Sequence, residues 1–213
     1  MIWRRRAVEI VEALMVAVLL AAYARTFLAQ PFRIPSSSMA PALVAGDQLL
    51  VNRFVFGPTR WSWESRLLPV RPPRRGDVVV FRYPRDPRIP YVKRVAGVPG
   101  ESVELRRRAL FVDGAALDER GYAHHTAAAA YPGSVPVDPF YGRRDDFGPV
   151  AVPAASYFVL GDNRELSADS RFWGCVPRSH LLGRAFLVYW SWRRADGAAR
   201  AGPRWRRLVR LAR

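Results

Sequence analysis

Short runs of β-type residues, separated by proline and glycine, are the feature that most restricts the folds open to this chain. Many short strands with turn signals between them are typical of an all-β sandwich or barrel. No long helical period follows residue 32 until the C-terminal tail. We therefore predict a mainly β fold with an antiparallel sheet or barrel-like body. The runs are QLLVNRFVF (48–56), DVVVFRY (77–83), YVKRVAGV (91–98), SVEL (102–105), ALFVDG (109–114), SYFVLGD (156–162) and RAFLVYWSW (184–192).

The composition changes over residues 106–150, which begin with three arginines and continue with HHTAAAAYPGSVPVDPFYGRRDDFGP. Such a sequence predicts loops and at most a hairpin. We therefore interpret residues 106–150 as a smaller inserted cap region. The β body then consists of residues 30–105 and 151–195, and residues 196–213 form a basic C-terminal tail.

The N-terminus combines a basic start with an apolar stretch. Arg4, Arg5 and Arg6 precede the mainly apolar residues 7–29. As a helix this stretch would be about 35 Å long, enough for the hydrocarbon core of a bilayer. We predict a transmembrane anchor over residues 7–29, with residues 1–6 in the cytoplasm because basic clusters stay on that side. A cleaved signal peptide or a buried amphipathic helix would show a similar pattern.

The formal net charge of +16 predicts contact with polyanions. The basic residues are spread along the chain, which favours membrane lipid over nucleic acid as the partner. In the tail, PRWRRLVRLAR (203–213), arginines alternate with apolar residues. This pattern indicates either a short basic helix that rests on anionic lipid or a frayed terminus.

A single lysine, Lys93, stands in a chain whose Lys+Arg total is 34. Arginine stays protonated in any protein site, whereas lysine can lose its proton when it is desolvated. Chance is one explanation for a lone lysine in an arginine-rich chain. A requirement for a neutral amine at this position is the other.

Three consecutive serines occur in IPSSSMAPAL (34–43), where prolines on both sides restrict the backbone. The segment is either a serine-rich linker or a loop that fixes a hydroxyl for nucleophilic attack. A serine nucleophile needs a base, and the Ser-Lys dyad is a recognised form of serine catalysis. The histidines, which are the usual bases, lie in poorly patterned segments: His124, His125 and His180.

Motifs for metals and cofactors are missing from the sequence. It has no His-Glu-x-x-His, no Cys-x-x-Cys and no glycine-rich phosphate loop, so we predict neither a cofactor nor a metal. The one cysteine, Cys175, excludes an intrachain disulfide. We interpret it as a small buried residue and not as a nucleophile.

A polar segment, GDNRELSADSRFWG (161–174), follows one predicted strand and ends in aromatic residues. Polar groups flanked by aromatics predict an internal hydrogen-bond network. Together with PSSSMAPAL, GDQLLVNRF and YVKRVAGVPGE, and in the same order after one membrane segment, it resembles the signature boxes of bacterial type I signal peptidases.

The resemblance implies a role for individual residues of these boxes. It makes Ser38 the nucleophile and Lys93 the general base, and it places Ser36 in the oxyanion hole beside the backbone N–H of Ser38. It further implies that Ser167 contacts the lysine, and that Asp169 and Arg171 brace this region. The sequence departs from the pattern at Ser37, where glycine is frequent, and at Ala42, where threonine is frequent.

A general base that works near pH 7 to 8 needs a pKa about 2–3 units below that of free lysine. Burial in apolar surroundings produces such a shift. For Lys93, the sequence offers Tyr91, Val92, Val95 and Phe32 as neighbours of this kind.

By resemblance, the substrates are secretory preproteins, cut after small residues in an Ala-x-Ala pattern while the signal peptide lies as an added strand along a sheet edge. The implied location is the bacterial cytoplasmic (inner) membrane, with one span, the N-terminus inside and the catalytic domain on the periplasmic side. The sequence does not indicate an oligomeric state. The substrate-binding residues implied are Phe32, Ile34, Pro35, Met39, Leu43, Tyr91 and Val92.

Other functions are compatible with parts of the sequence. A conjugation-type Ser-Lys processing peptidase with one dedicated substrate would carry the same dyad. A self-cleaving Ser-Lys repressor is disfavoured because no DNA-binding domain precedes the dyad. A non-catalytic, membrane-anchored basic binding protein would explain the charge but leaves the four boxes unexplained.

If the N-terminal segment is an uncleaved anchor, we expect the mature protein to begin at or near Met1. N-terminal sequencing of the protein from membranes checks this expectation. A start beyond about residue 24 would instead indicate a cleaved signal peptide and a secreted domain.

Overall fold

The computed structural model describes residues 2–23, 30–57, 70–125, 145–193 and 201–212. One helix, α1 (Ile2–Tyr23), comes before the β body, and apolar side chains such as Val11, Leu14 and Leu19 on it are exposed. Among the described residues, no helix combines the length and the apolar character needed to cross a membrane. Residues 24–29 of the predicted anchor lie outside the described residues.

The rest of the described chain is built mainly of β-strands, which confirms the predicted fold class. Each of the runs predicted from the sequence overlaps one of them. A short helix, α2 (Ser170–Trp173), follows the strand β9 (Ser156–Leu160) after a polar loop. The strands are β1 (Gln30–Arg33), β2 (Asp47–Asn52), β3 (Val78–Tyr83), β4 (Asp86–Gly97), β5 (Ser102–Arg106), β6 (Ala109–Val112), β7 (Ala115–Ala116), β8 (Phe147–Ala151), β9 (Ser156–Leu160), β10 (Val176–Pro177), β11 (Leu181–Arg193), β12 (Gly202–Pro203) and β13 (Arg210–Leu211).

The strands form two antiparallel sheets. The larger has the order β1-β2-β11-β3-β4-β9-β10, with β12 and β13 paired to β11, and the smaller has the order β7-β6-β5-β8. Strand β2 ends earlier than the predicted run 48–56. The Asn52 side chain accepts the N–H groups of Phe54 and Val55 at 2.9 and 3.1 Å, and a 3₁₀ turn replaces the strand there.

Both faces of the central strand β3 are buried from Val78 to Phe81, and all four of these residues are apolar. In β3, Val78 and Val80 belong to one apolar cluster, while Val79 and Phe81 belong to another. This alternation follows from the two-residue period of a strand. The first cluster also contains Met39, which follows Ser38, so the serine loop is tied to the core.

The smaller sheet begins before the predicted cap region, because β5 opens at Ser102 and pairs with β6 and β8. Side chains of the smaller sheet pack with Phe158 and Leu160 of β9, which joins the two sheets into one core. Residues 126–144 of the predicted cap lie outside the described residues.

The C-terminal tail is not the short basic helix that alternating arginine and apolar residues suggested. It forms β12 and β13 on either side of a 3₁₀ turn, Trp205–Arg207, and both strands pair with β11. Ala212, at its end, is buried in the cluster that contains Met39. The tail forms strands because the edge of β11 offers backbone hydrogen bonds, which outweigh the helical preference of the sequence pattern.

We expect Phe158→Ala to lower the free energy of unfolding by about 3–5 kcal/mol, because the fully buried ring joins β9 to the smaller sheet. Urea unfolding measures the loss. Val209→Ala serves as the control, since Val209 is 77% exposed, and should change the value by less than about 0.5 kcal/mol. A loss below about 1 kcal/mol for Phe158→Ala would contradict this account of the core.

Candidate active site

The loop between β1 and β2 carries Ser38, and backbone hydrogen bonds close it at its base. Ile34 N–H donates to the Asp47 carbonyl at 2.9 Å, and Gly46 N–H donates to the Ile34 carbonyl at the same distance. Inside the loop, Leu43 N–H donates to the Met39 carbonyl at 2.8 Å. Met39 and Leu43 point into the core, which fixes the backbone beside Ser38.

Strand β4 brings Lys93 to this loop. Lys93 Nζ donates to Ser38 Oγ at 2.6 Å, and both side chains are buried. Ser36 Oγ lies 3.3 Å from the same Ser38 oxygen. The structure therefore brings together the nucleophile, base and oxyanion residues that the sequence resemblance implied.

Burial lowers the pKa of Lys93 to about 8, although the charges of Asp169 and Asp162 act in the opposite direction. An amine with this pKa is half neutral at about pH 8, so a sizeable fraction can accept a proton from a hydroxyl near neutral pH. The nearby positive charge of Arg171 lowers the pKa further.

Each of the two acidic residues near Lys93 is paired with an arginine. Asp169 receives two bonds of 2.8 Å from Arg171. Asp162 receives bonds of 2.7 and 2.6 Å from Arg94. The Arg171 guanidinium holds the pKa of Asp169 below its usual range despite complete burial. These pairings direct each carboxylate at a guanidinium.

A tight turn at Gly161 holds the backbone of Ser38 from the side opposite the core. Asn163 N–H donates to the Ser38 carbonyl at 3.1 Å, and Gly161 N–H donates to Asp169 at 3.0 Å. A Cβ at position 161 would lie 2.6 Å from the Ser38 carbonyl oxygen and 2.1 Å from Ser167 Oγ. Only glycine fits this approach.

Ser167 lies in this turn region, but its buried Oγ makes no hydrogen bond to the lysine or to any other group in the structure. The hydroxyl nevertheless lies near enough to Asp169 to help lower the pKa of that carboxyl. The steric contact with Gly161 places it against the turn.

An apolar cavity of about 290 Å³ opens beside Ser38 and Lys93. Its lining includes all the substrate-binding residues implied by the resemblance except Leu43, which is fully buried in the core and faces away from the cavity. Leu43 is hence a core residue that anchors the loop. The implied residues that line the cavity are Phe32, Ile34, Pro35, Met39, Tyr91 and Val92.

The sequence reasoning missed four further residues that line the cavity. Ile89 and Pro90 belong to β4, and their place just before Tyr91 was the signal that could have identified them. Leu166 and Ala168 flank Ser167 in the polar segment, where their apolar character stood out. Leu166 and Ile89 are exposed to 61% and 45%, so they form the rim.

The geometry fits proton transfer from a serine hydroxyl to a neutral amine beside an apolar groove. Cys175 does not compete as nucleophile, since burial raises the pKa of its thiol and it packs against the cluster around Phe158. The cavity offers apolar surface to side chains, and the Ser38 hydroxyl lies beside it.

Comparisons with known proteins point to one family. A family model described as "Signal peptidase, peptidase S26" matches residues 7–190. The chain is 35% identical over 196 residues to a Signal peptidase I of Pseudomonas aeruginosa, and the match covers 79% of this chain and 67% of that protein. For a Signal peptidase I of Pseudomonas fluorescens, the identity is 38% over 190 residues with the same coverage. A crystal structure of a signal peptidase I from Enterococcus faecalis V583 has a TM-score of 0.41 at 32% identity, covering 54% of this chain and 97% of that chain.

The lowered pKa of Lys93 predicts a pH-dependent stability. Between about pH 8 and pH 10.5 the unfolded chain binds a proton at this lysine that the folded chain lacks, so the free energy of unfolding rises with pH. We expect a slope of about 1 kcal/mol per pH unit in excess of that of Lys93→Met. Urea unfolding from pH 7.5 to 9.5 measures both. Parallel curves would show that Lys93 titrates normally in the folded protein.

Proposed function

Because the chain belongs to the signal peptidase family, peptidase S26, we propose that it removes N-terminal signal peptides from exported preproteins through a dyad of Ser38 and Lys93. The observation that carries this proposal is the 2.6 Å hydrogen bond from Lys93 Nζ to Ser38 Oγ in a buried, apolar setting. A lysine in this place supplies a base without a histidine.

In the proposed reaction, the neutral Lys93 amine takes the proton from Ser38 Oγ as the oxygen attacks the scissile carbonyl. The Ser36 hydroxyl and the Ser38 N–H stabilise the oxyanion of the tetrahedral intermediate. The Lys93 ammonium then returns the proton to the leaving amine. Water then hydrolyses the acyl enzyme. Lys93 acts as base again and takes a proton from the attacking water, and its ammonium returns that proton to Ser38 Oγ as the ester bond breaks.

The open side of β4 supports binding of the signal peptide as an added strand. Strand β9 pairs with β4 from Arg94 onward, so within the described residues the preceding stretch, Ile89–Lys93, has no strand partner on that side. An extended peptide there could bond to the β4 backbone while alternate side chains enter the cavity. A cavity of about 290 Å³ shared by two such side chains suits small residues, as in Ala-x-Ala.

The N-terminal anchor and the periplasmic side of the catalytic domain belong to this proposal. We assign residues 1–6 to the cytoplasm, 7–29 to the anchor, 30–105 and 151–195 to the catalytic domain, 106–150 to the cap and 196–213 to the tail. The exposed apolar side chains of α1 support the anchor. Nine residues from Ala29 to Ser38 span at most about 30 Å, which keeps the serine near the membrane surface.

We expect Lys93→Arg to lower the rate of preprotein cleavage by at least about 10²–10⁴-fold, because a guanidinium cannot accept the Ser38 proton near neutral pH. Ser38→Ala, alone or combined with Lys93→Arg, should cleave only slightly more slowly than Lys93→Arg, since the two residues act as a unit. Cleavage of a purified preprotein, followed by sequencing of the new N-terminus, measures the rates.

Circular dichroism of each variant controls for folding, and Cys175→Ser controls for an alternative nucleophile. The latter should cleave at a rate within about twofold of the unchanged protein. Near-normal cleavage by folded Lys93→Arg would end the Ser-Lys mechanism.

A further inference from the structure

The C-terminal segment returns to the loop that carries Ser38. After β12 the chain turns back, and Arg204 N–H donates to the Ser191 carbonyl at 2.9 Å. The 3₁₀ turn that follows places Arg207 against residues 41–47. Its side chain is 14% exposed.

The Arg207 guanidinium makes two kinds of contact with the loop. It forms an ion pair with the fully buried Asp47 carboxylate, with Nη2 at 2.6 Å from Oδ2 and Nε at 3.1 Å from Oδ1. We call the contacts of Arg207 with Asp47 and with the loop carbonyls the clamp. Nη2 also donates to the Ala42 carbonyl at 2.8 Å, and Nη1 lies 3.4 Å from the Pro41 carbonyl.

Both targets lie in the structure that determines where Ser38 stands. Asp47 begins β2 and also accepts Val44 N–H at 2.9 Å, so its carboxylate fixes the end of the loop. The Ala42 carbonyl lies four residues after Ser38, in the same turn between β1 and β2. Arg207 therefore holds this turn at a second point, in addition to Asp47.

We propose that Arg207 is a positioning residue for Ser38, which rests on the proposed function. It holds the end of the turn and the start of β2 at a fixed separation, and so keeps Ser38 Oγ at hydrogen-bond distance from Lys93. Arg207 touches neither substrate nor the reacting atoms. Its effect on the reaction is transmitted through the loop backbone.

The chemistry of the clamp requires arginine. A planar guanidinium can donate to a carboxylate along one edge and to a carbonyl from the same nitrogen in a fixed geometry. A lysine at 207 would keep the charge opposite Asp47 but offers one compact donor group, so it cannot fix both targets. Methionine would leave the buried Asp47 carboxylate without this cation.

The test compares the kinetics of preprotein cleavage by the full chain and by Arg207→Met, Arg207→Lys and Arg206→Met. Arg206 is exposed in the same turn, so its variant loses the same charge without touching the loop. We expect Arg207→Met to lower kcat roughly 10- to 100-fold with little change in KM, as for a misplaced nucleophile. Arg207→Lys should be intermediate, and Arg206→Met should match the unchanged protein.

Two further measurements separate positioning from general stability. Low-millimolar guanidinium chloride should raise the kcat of Arg207→Ala, whereas sodium chloride at the same concentration should not. Hydrogen exchange at the Ala40 and Leu43 amides, which bond within the loop, should be faster in Arg207→Lys than in the unchanged protein.

An unchanged kcat in Arg207→Met, or an equal loss in Arg206→Met, would overturn the proposal. If Arg207→Met does not fold, the test rests on Arg207→Lys. A normal kcat together with normal hydrogen exchange in Arg207→Lys would then overturn the proposal. If the unchanged protein cleaves no preprotein, the proposed function fails, while the exchange measurement still tests the clamp.

Discussion

Burial of one amine is the constraint on which the arrangement of the site depends. Lys93 can act as a base only if nearby negative charge does not stabilise its ammonium form. The negative charges of Asp169 and Asp162 both raise the pKa of Lys93. Each carboxylate, however, forms a two-point contact with an arginine. The arginines thus offset the carboxylates, and desolvation is left as the largest influence on the lysine.

These buried ion pairs are better understood as geometric supports than as sources of stability. Removing two charges from water costs about as much as their attraction returns, so apolar replacements are often equally stable. The Asp169 carboxylate, however, also accepts Gly161 N–H, and Arg171 also donates to the Arg164 carbonyl at 2.8 Å. The pair therefore fixes the turn whose Asn163 N–H holds the Ser38 carbonyl, and an apolar pair could not do this.

The sequence was sufficient to predict seven of the thirteen strands in the described residues and the meeting of Ser38 with Lys93, because strand periodicity is local and the boxes carry a recognisable order. The resemblance placed Leu43 among the substrate-binding residues, whereas its side chain is fully buried in the core, and a resemblance does not reveal which side chains of a short proline-flanked loop face the core. The sequence also misjudged the tail: the arginine and apolar pattern of residues 203–213 fits a helix, but β11 offers an edge some twenty residues earlier in the chain. Arg207 and Asp47 are 160 residues apart, and no local pattern indicates that such residues meet.

The described part of the cap region supports the same network from the opposite side. Glu119 forms an ion pair with the buried Arg164, which also donates to the Gly161 carbonyl at 3.2 Å. The Arg94 guanidinium lies 4.4 Å from the centre of the Tyr122 ring, and His124 N–H donates to the Asp162 carbonyl at 2.7 Å. Burial raises the pKa of Tyr122, so the ring stays neutral beside this arginine. Because Arg94 and Asp162 are partners, a cap segment that holds both keeps the Asp162 charge directed at Arg94. The described part of the cap thereby helps to maintain the low pKa of Lys93.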